Sequence, residues 1–209
     1  GADTFRLYEM YMGPLEASKP WNTKDISGLF RFLQRTWRVF VDEATDETRL
    51  VADTNADLER QLHRTIAKVQ GDIERLAFNT AIASLIGFVN AAVSAGGVTR
   101  SQGERFLKTL SPFAPHMAEE LWKRLGKDGL AMLEPWPDYD ETMLKDDTVE
   151  IPVQIMGKVR ARLSVAADLD KKALEAAAFA DPKVQELIAG KTVRKVIVVP
   201  GRLVNIVAN

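Results

Sequence analysis

The chain has 209 residues, 46% hydrophobic and 27% charged, enough for one large domain or two modest ones with ordinary cores and too apolar for disorder as the default. It contains no cysteine, which removes disulfides, thiolate metal sites and cysteine nucleophiles and fits a cytoplasmic protein in a reducing compartment. No apolar run approaches the roughly 20 residues of a membrane span, and the first residues do not read as a charged-then-apolar leader.

The net charge of -1 conceals an imbalance: residues 1–147 carry 18 Lys+Arg against 23 Asp+Glu, whereas residues 148–209 carry 10 against 6. The acidic stretch PDYDETMLKDD, residues 137–147, separates the two halves and has the composition of an exposed linker. The organisation expected is a lead segment over 1–21, a helical region over 22–136, the linker over 137–147 and a small domain over 148–209.

In chain order, Asn22 and Thr23 can cap a first helix whose apolar positions are Ile26, Leu29, Phe30, Leu33, Trp37, Phe40 and Val41, the i, i+3, i+4, i+7 spacing of one buried face. A second series (Leu58, Leu62, Ile66, Val69, Ile73, Leu76) and a third (Ile82, Leu85, Ile86, Val89, Val93) read either as one long helix or as two with a break near Gly71 or Asn79. Gly96 and Gly97 end the third series. Another helix is expected from about Thr99 to Leu110. Pro112 and Pro115 then stop one helix and start the next, which carries Met117, Leu121, Trp122 and Leu125 and stops at Gly126. Short connections make an antiparallel up-and-down bundle the simplest arrangement.

After the linker the period changes to two. Val149, Ile151, Val153 and Ile155 alternate with polar residues, and Val159, Ala161, Leu163 and Val165 alternate with Arg160, Arg162 and Ser164, a hairpin turning at Met156–Gly157. Pro152 hints at an edge strand. Asp168 or Asp170 caps a helix through the alanine run, Asp181 with Pro182 starts a second that Gly190 ends, and two β-branched runs hinged at Pro200–Gly201 close the chain. The fold class is therefore mainly α, a helical bundle followed by a ββααββ domain of the α+β kind.

Catalytic patterns are missing. The sequence has no glycine-rich phosphate loop, no histidine pair at metal spacing and no serine in a nucleophile elbow. Glu119 and Glu120 point about 100° apart on a helix and read as carboxylates in its first turns, where the dipole favours negative charge. His116 reads as a hydrogen-bonded structural histidine and His63 as an exposed one. No catalytic or metal-binding residue is assigned. Basic residues are the candidates for binding. Arg31, Arg35 and Arg38 recur at i, i+4 and i+7 away from the core stripe, Arg60, Arg64 and Lys68 repeat the spacing, and Lys158, Arg160, Arg162, Arg194, Lys195 and Arg202 populate the basic second domain.

Three stretches add a resemblance. GADTFRLYEMYMGPLEASKPW (residues 1–21) resembles the segment of bacterial-type leucyl-tRNA synthetases that follows the signature loop of the class I catalytic site. FNTAIASLIGFVN (78–90) and LSPFAPHMAEELW (110–122) resemble the helical anticodon-binding domain shared by the leucine, isoleucine, valine and methionine enzymes, and GKVRARLSV with KTVRKVIVVPGRLVNIV resembles the small C-terminal domain of the leucine enzymes. Met156 departs from the polar residue, such as asparagine, expected in that turn. The resemblance implies a tRNA-binding C-terminal part of a leucine–tRNA ligase. Catalytic and editing domains, and with them ATP and magnesium, would lie ahead of Gly1, and no cofactor is expected within the chain itself. The implied partners are tRNA(Leu) and those N-terminal domains, with no membrane or DNA. Lys158, Arg160, Lys195 and Arg202 are then the candidates for the tRNA elbow, and Arg31, Arg35 and Arg38 for a contact by the bundle. Trp21, Trp37 and Trp122 are core candidates before they are stacking platforms. Two alternatives stay open: the equivalent part of an isoleucine, valine or methionine enzyme, or a non-enzymatic helical interaction module.

Overall fold

The computed structural model describes residues 1–144, 148–166 and 169–209. The chain divides into two compact units, Gly1–Leu144 and Lys145–Asn209, each built around its own apolar cluster.

In the first unit the described residues form α1 (Ala2–Tyr11), α2 (Ile26–Phe40), α3 (Ala56–Glu74), α4 (Phe78–Ser94), α5 (Arg100–Leu110) and α6 (Pro115–Arg124), followed by single 3-10 turns at 131–133 and 141–144. Helices α3 and α4 are separate elements that pack on each other, joined through Leu76 in the left-handed region at φ 56. The break falls between the two positions expected, Gly71 and Asn79. Leu62, Ile66 and Val69 on α3 and Ile82 and Leu85 on α4 are fully buried; each such side chain contributes about 1.5–3 kcal/mol. Asn55 caps α3, its side chain accepting from the Leu58 N–H at 3.0 Å. Thr99 and Gln102 form a reciprocal capping box at the start of α5, and Pro115 occupies the first turn of α6.

Helix α1 lies inside the stretch read as a lead segment, and it belongs to the core: Leu7 and Tyr8 are buried. Helix α2 starts at Ile26, later than an Asn22/Thr23 cap implies, because Asn22 is engaged elsewhere. Its Oδ1 accepts from the Lys24 N–H at 3.1 Å, its amide donates to Asp25 at 2.8 Å, and its backbone N–H donates to the Tyr8 hydroxyl at 2.8 Å. That side chain closes a turn instead of a helix end. Along α2, Phe32 is buried and Phe30 is half exposed, the reverse of the expected stripe. Trp122 lies in the core, Trp37 is partly buried against it, and Trp21 is 55% exposed, set edge-on to Tyr8 at 4.7 Å between ring centroids. The acidic stretch is docked in part: Pro137 is buried, Tyr139 packs on the bundle, and the Asp140 N–H donates to His63 Nδ1 at 2.9 Å. Residues 145–147 of that stretch, and Asp168, lie outside the described residues.

The second unit is a four-stranded sheet, β1 (Thr148–Ile155), β2 (Lys158–Ala166), β3 (Val193–Val199) and β4 (Leu203–Ala208), with α7 (Lys171–Ala180) and α8 (Pro182–Ile188). The strand order is β2-β1-β4-β3, β1 running antiparallel to β2 and parallel to β4. Asp170 and Asp181 cap the two helices. Ile151, Val153, Leu163, Val204 and Ile206 pack with Leu174, Ala178 and Val184 from the helices. Strand β1 is internal, so Pro152 does not mark an edge strand. Pairing with β4 begins only at Val153, and Pro152 therefore precedes the ladder in which its missing N–H would matter. The β1–β2 turn holds both Met156 (φ 51) and Gly157 (φ 75) in the left-handed region, the geometry of a tight two-residue hairpin.

Candidate nucleic-acid interface

Helix α2 presents different chemistry on its two flanks. Toward α1 and α6, Phe30, Leu33, Trp37 and Met117 line an apolar hollow of about 490 Å³ that opens beside Gly1. The half exposure of Phe30 is explained by that hollow. Toward α4, Arg31, Arg35 and Arg38 stand along a groove, all three exposed. Arg35 donates from Nη1 to Asn90 Oδ1 at 2.5 Å, which ties the helices together, and Arg38 donates to Glu43 at 3.0 Å in a pair more than half exposed on both sides. Arg31 has no ion pair among the described residues. A solvent-exposed pair such as Arg38–Glu43 contributes about 0–1 kcal/mol and yields readily to a phosphate.

The second basic row is disposed differently. Arg60 and Arg64 are half-buried, and Lys68 pairs with Asp72. Asp72 is itself buried and also accepts from Arg75 at 2.9 Å and from the Thr80 hydroxyl at 2.6 Å. Burial pushes the Asp72 carboxyl up, but hydrogen bonds from Lys68, Thr80 and Arg75 and the Lys68 charge outweigh it and hold the group below its ordinary range. This cluster joins the end of α3 to the start of α4. His63, expected to be exposed, is mostly covered: its Nε2 lies 3.2 Å from Glu59, which accepts from Arg105 at 2.6 Å and from Gln102 at 2.9 Å. Burial raises the Glu59 carboxyl, and the bonds from Arg105 and Gln102 with the charges of Arg105 and His63 bring it below its usual value. The α3–α5 cations thus serve packing. His116 is the hydrogen-bonded residue its position implies. Asp3 accepts from His116 Nδ1 at 2.8 Å and from the Met117 N–H at 2.7 Å, so a carboxylate on α1 caps α6.

In the second unit the basic residues occupy both edges of the sheet. Lys158 and Arg160 stand on β2, Lys195 on β3, and Arg202 in the β3–β4 turn, all exposed and without ion pairs among the described residues. Lys195 lies opposite Val207 and the turn holding Arg202 lies at the other end of that hairpin, so the four do not form one tight cluster. Alternation along β2 is interrupted between Val153 and Gln154 of its partner. Val153 opposes Ala161 and Gln154 opposes Val159, which leaves Arg160 as the extra residue of a bulge. The bulge turns Val159 to solvent, 52% exposed, against the strict alternation expected. Val159, Ile197 and Val199 give the open side of the sheet an apolar character beside Lys195 and Arg162.

Arg49 escaped the sequence reading. It follows a short β-bridge between Val41 and Thr48, outside any helical period that would align it with a row, yet it lines the same groove as Arg35 and Arg38.

Residues 55–175 match the family model described as the anticodon-binding domain of tRNA ligase. Leucine–tRNA ligases of Mycolicibacterium paratuberculosis and Mycobacterium leprae are 55% and 54% identical over 213 aligned positions, covering 99% of this chain and 22% of their own length. The chain thus spans about a fifth of the curated relatives that it matches. Among solved structures, the ternary complex of Agrobacterium radiobacter K84 agnB2 LeuRS with tRNA and LeuAMS aligns with a TM-score of 0.78 at 28% identity, covering 100% of this chain and 29% of that one.

Proposed function

Since the chain belongs to the family of anticodon-binding domains of tRNA ligases, we propose that it is the C-terminal, tRNA-docking part of a leucine–tRNA ligase. The observation that carries the reading is an alignment to leucine enzymes at 55% identity that runs over 99% of the chain and so extends through both units, the small sheet domain included. The resemblance of the last sixty residues to leucine enzymes argues against an isoleucine, valine or methionine ligase.

In this reading the exposed arginines of α2 meet the tRNA body, while Lys158, Arg160, Lys195 and Arg202 meet its elbow. Each cation that neutralises a phosphate releases condensed counterions, so affinity falls with salt. Leucyl-adenylate formation and transfer to the tRNA 3′ end, with ATP and magnesium, belong to the rest of the ligase. The described residues gather no group of three carboxylates or imidazoles fit to hold a metal ion. Docking energy gathered far from the reacting ester serves catalysis by orienting the acceptor end.

The test is fluorescence anisotropy of this chain with leucine tRNA, an unrelated tRNA and duplex RNA of equal length across a salt series. Preference for tRNA with a steep salt slope is expected. Alanine at Lys158, Arg160, Lys195 and Arg202 should weaken binding and flatten the slope, and removal of residues 148–209 should do so further. Absence of binding even at low salt overturns the reading.

A further inference from the structure

We propose that Arg49 completes a phosphate seat with Arg35 and Arg38 between α2 and the end of α4, an inference that rests on the bundle being an RNA-docking surface. The seat is a hollow of about 310 Å³ whose lining brings together the three arginines, Val39, Ala92, Val93 and the backbone of Gly96 and Gly97, with no carboxylate in it. Each guanidinium carries five N–H donors. Arg35 uses one on Asn90, Arg38 one on Glu43, which lines the apolar hollow on the other flank of α2, and Arg49 one on the Gly96 carbonyl at a long 3.4 Å. The remaining donors match the paired acceptor oxygens of a phosphodiester. The apolar floor lowers the local dielectric and strengthens that attraction.

The carbonyl end of α4 would oppose an anion, but the chain closes on itself there. The Ala95 N–H donates to the Ala91 carbonyl at 2.8 Å, that of Gly97 to Ala92 at 2.9 Å and that of Gly96 to Val93 at 3.2 Å. What is left is the partial charge of a helix end, set against three full charges. Gly97, at φ 144, brings backbone close to Val51, where an added Cβ would stand 3.1 Å from a Val51 methyl, so the loop closes the end of the seat without a side chain.

A second hollow of about 230 Å³, lined by Arg31, Arg35 and Asn90, shares Arg35 with the first. Arg31 and Arg35 are about 6 Å apart along the helix axis at 1.5 Å per residue. The two seats therefore take neighbouring phosphates of a single strand, running along α2 with Arg35 between them.

The experiment measures binding of leucine tRNA by anisotropy at several salt concentrations, with Arg49→Ala, Val93→Glu and Val93→Gln in the full chain. Val93 is half exposed in the last turn of α4, and glutamate there sets a negative charge in the seat. Expected are a loss on the order of tenfold for Arg49→Ala with the salt slope reduced by about one, a larger loss for Val93→Glu, and near wild-type binding for Val93→Gln. Unchanged affinity and slope for Arg49→Ala and Val93→Glu overturn the seat while leaving the docking role standing. A loss with unchanged slope, or equal losses for both Val93 variants, also overturns it. Failure of the wild-type chain to bind tRNA at all overturns the docking reading itself.

Discussion

Replacement of Asp72 by alanine tests whether the joint between α3 and α4 is held by charge. The carboxylate is 1% exposed and receives Arg75, Lys68 and the Thr80 hydroxyl. Arg75 and Lys68 are 67% and 48% exposed, so each contact to them contributes about 0–1 kcal/mol after screening. The bond from Thr80 to a buried charged acceptor contributes about 1.5–3 kcal/mol. Thr80 keeps a second acceptor, the Ala77 carbonyl at 3.0 Å, so its hydroxyl is not orphaned by the substitution. The total is then about 2–3 kcal/mol, near the lower end of the combined range. All four tryptophans (Trp21, Trp37, Trp122, Trp136) lie in the first unit, so their fluorescence during urea unfolding reports that unit alone. With a urea slope of about 2 kcal/mol/M, the midpoint should fall by about 1 M. The sign with pH follows from the lowered carboxyl: the folded group titrates below the unfolded one, so its contribution is complete above the unfolded value near 4 and is lost as pH falls through the folded value. The gap between wild type and Asp72→Ala should be constant at neutral pH and shrink below about pH 4. A midpoint unchanged at pH 7, or a gap that widens in acid, refutes the reasoning.

Two further substitutions probe packing and turn geometry. Gly103 lies in α5 against Phe40, where an added Cβ would stand 2.7 Å from ring carbon Cε1, and that ring is held against Phe106 in the core. Gly103→Ala should destabilise the first unit by about 1–2 kcal/mol despite the better helix propensity of alanine, and a rise in the urea midpoint refutes the clash. Met156→Asn relieves a bulky residue of its left-handed conformation and should stabilise the hairpin by about 0.5–1 kcal/mol. Slower amide hydrogen exchange along β1 and β2 in the full chain is the readout, and unchanged or faster exchange counts against it.

Features written in local chemistry were legible in the sequence. The helix start at Thr99, Pro115, Asp181 with Pro182 and the Met156–Gly157 turn all depend on residues within a few positions of each other, and the structure has each where the spacing puts it. Features decided by distant partners were not. Helix α1 has no side-chain cap at Gly1 and takes its place through Leu7 and Tyr8 in a core assembled from later helices. Phe30 and Phe32 are equally apolar, and only the hollow against α6 decides which one stays open. A bulge shifts the side-chain period by one and leaves no mark in composition, so Val159 read as buried. Among the binding candidates, the row on α2 could be seen from its spacing, whereas Arg49 reaches the groove from a loop and is placed there by tertiary structure alone.

The bulge at Arg160 has a consequence for solubility. An open four-stranded sheet has two free borders, each a template onto which a strand of another molecule can be added. Here one border carries Lys158, the bulged Arg160 and Arg162, and the other carries Lys195 and ends at Pro200. Kinked backbone, like charges and a missing N–H all obstruct strand addition. The cations proposed to meet RNA are then expected to keep copies of the chain apart as well, and a variant stripped of Lys158, Arg160 and Lys195 should self-associate, visible as a rising apparent mass in light scattering at increasing concentration.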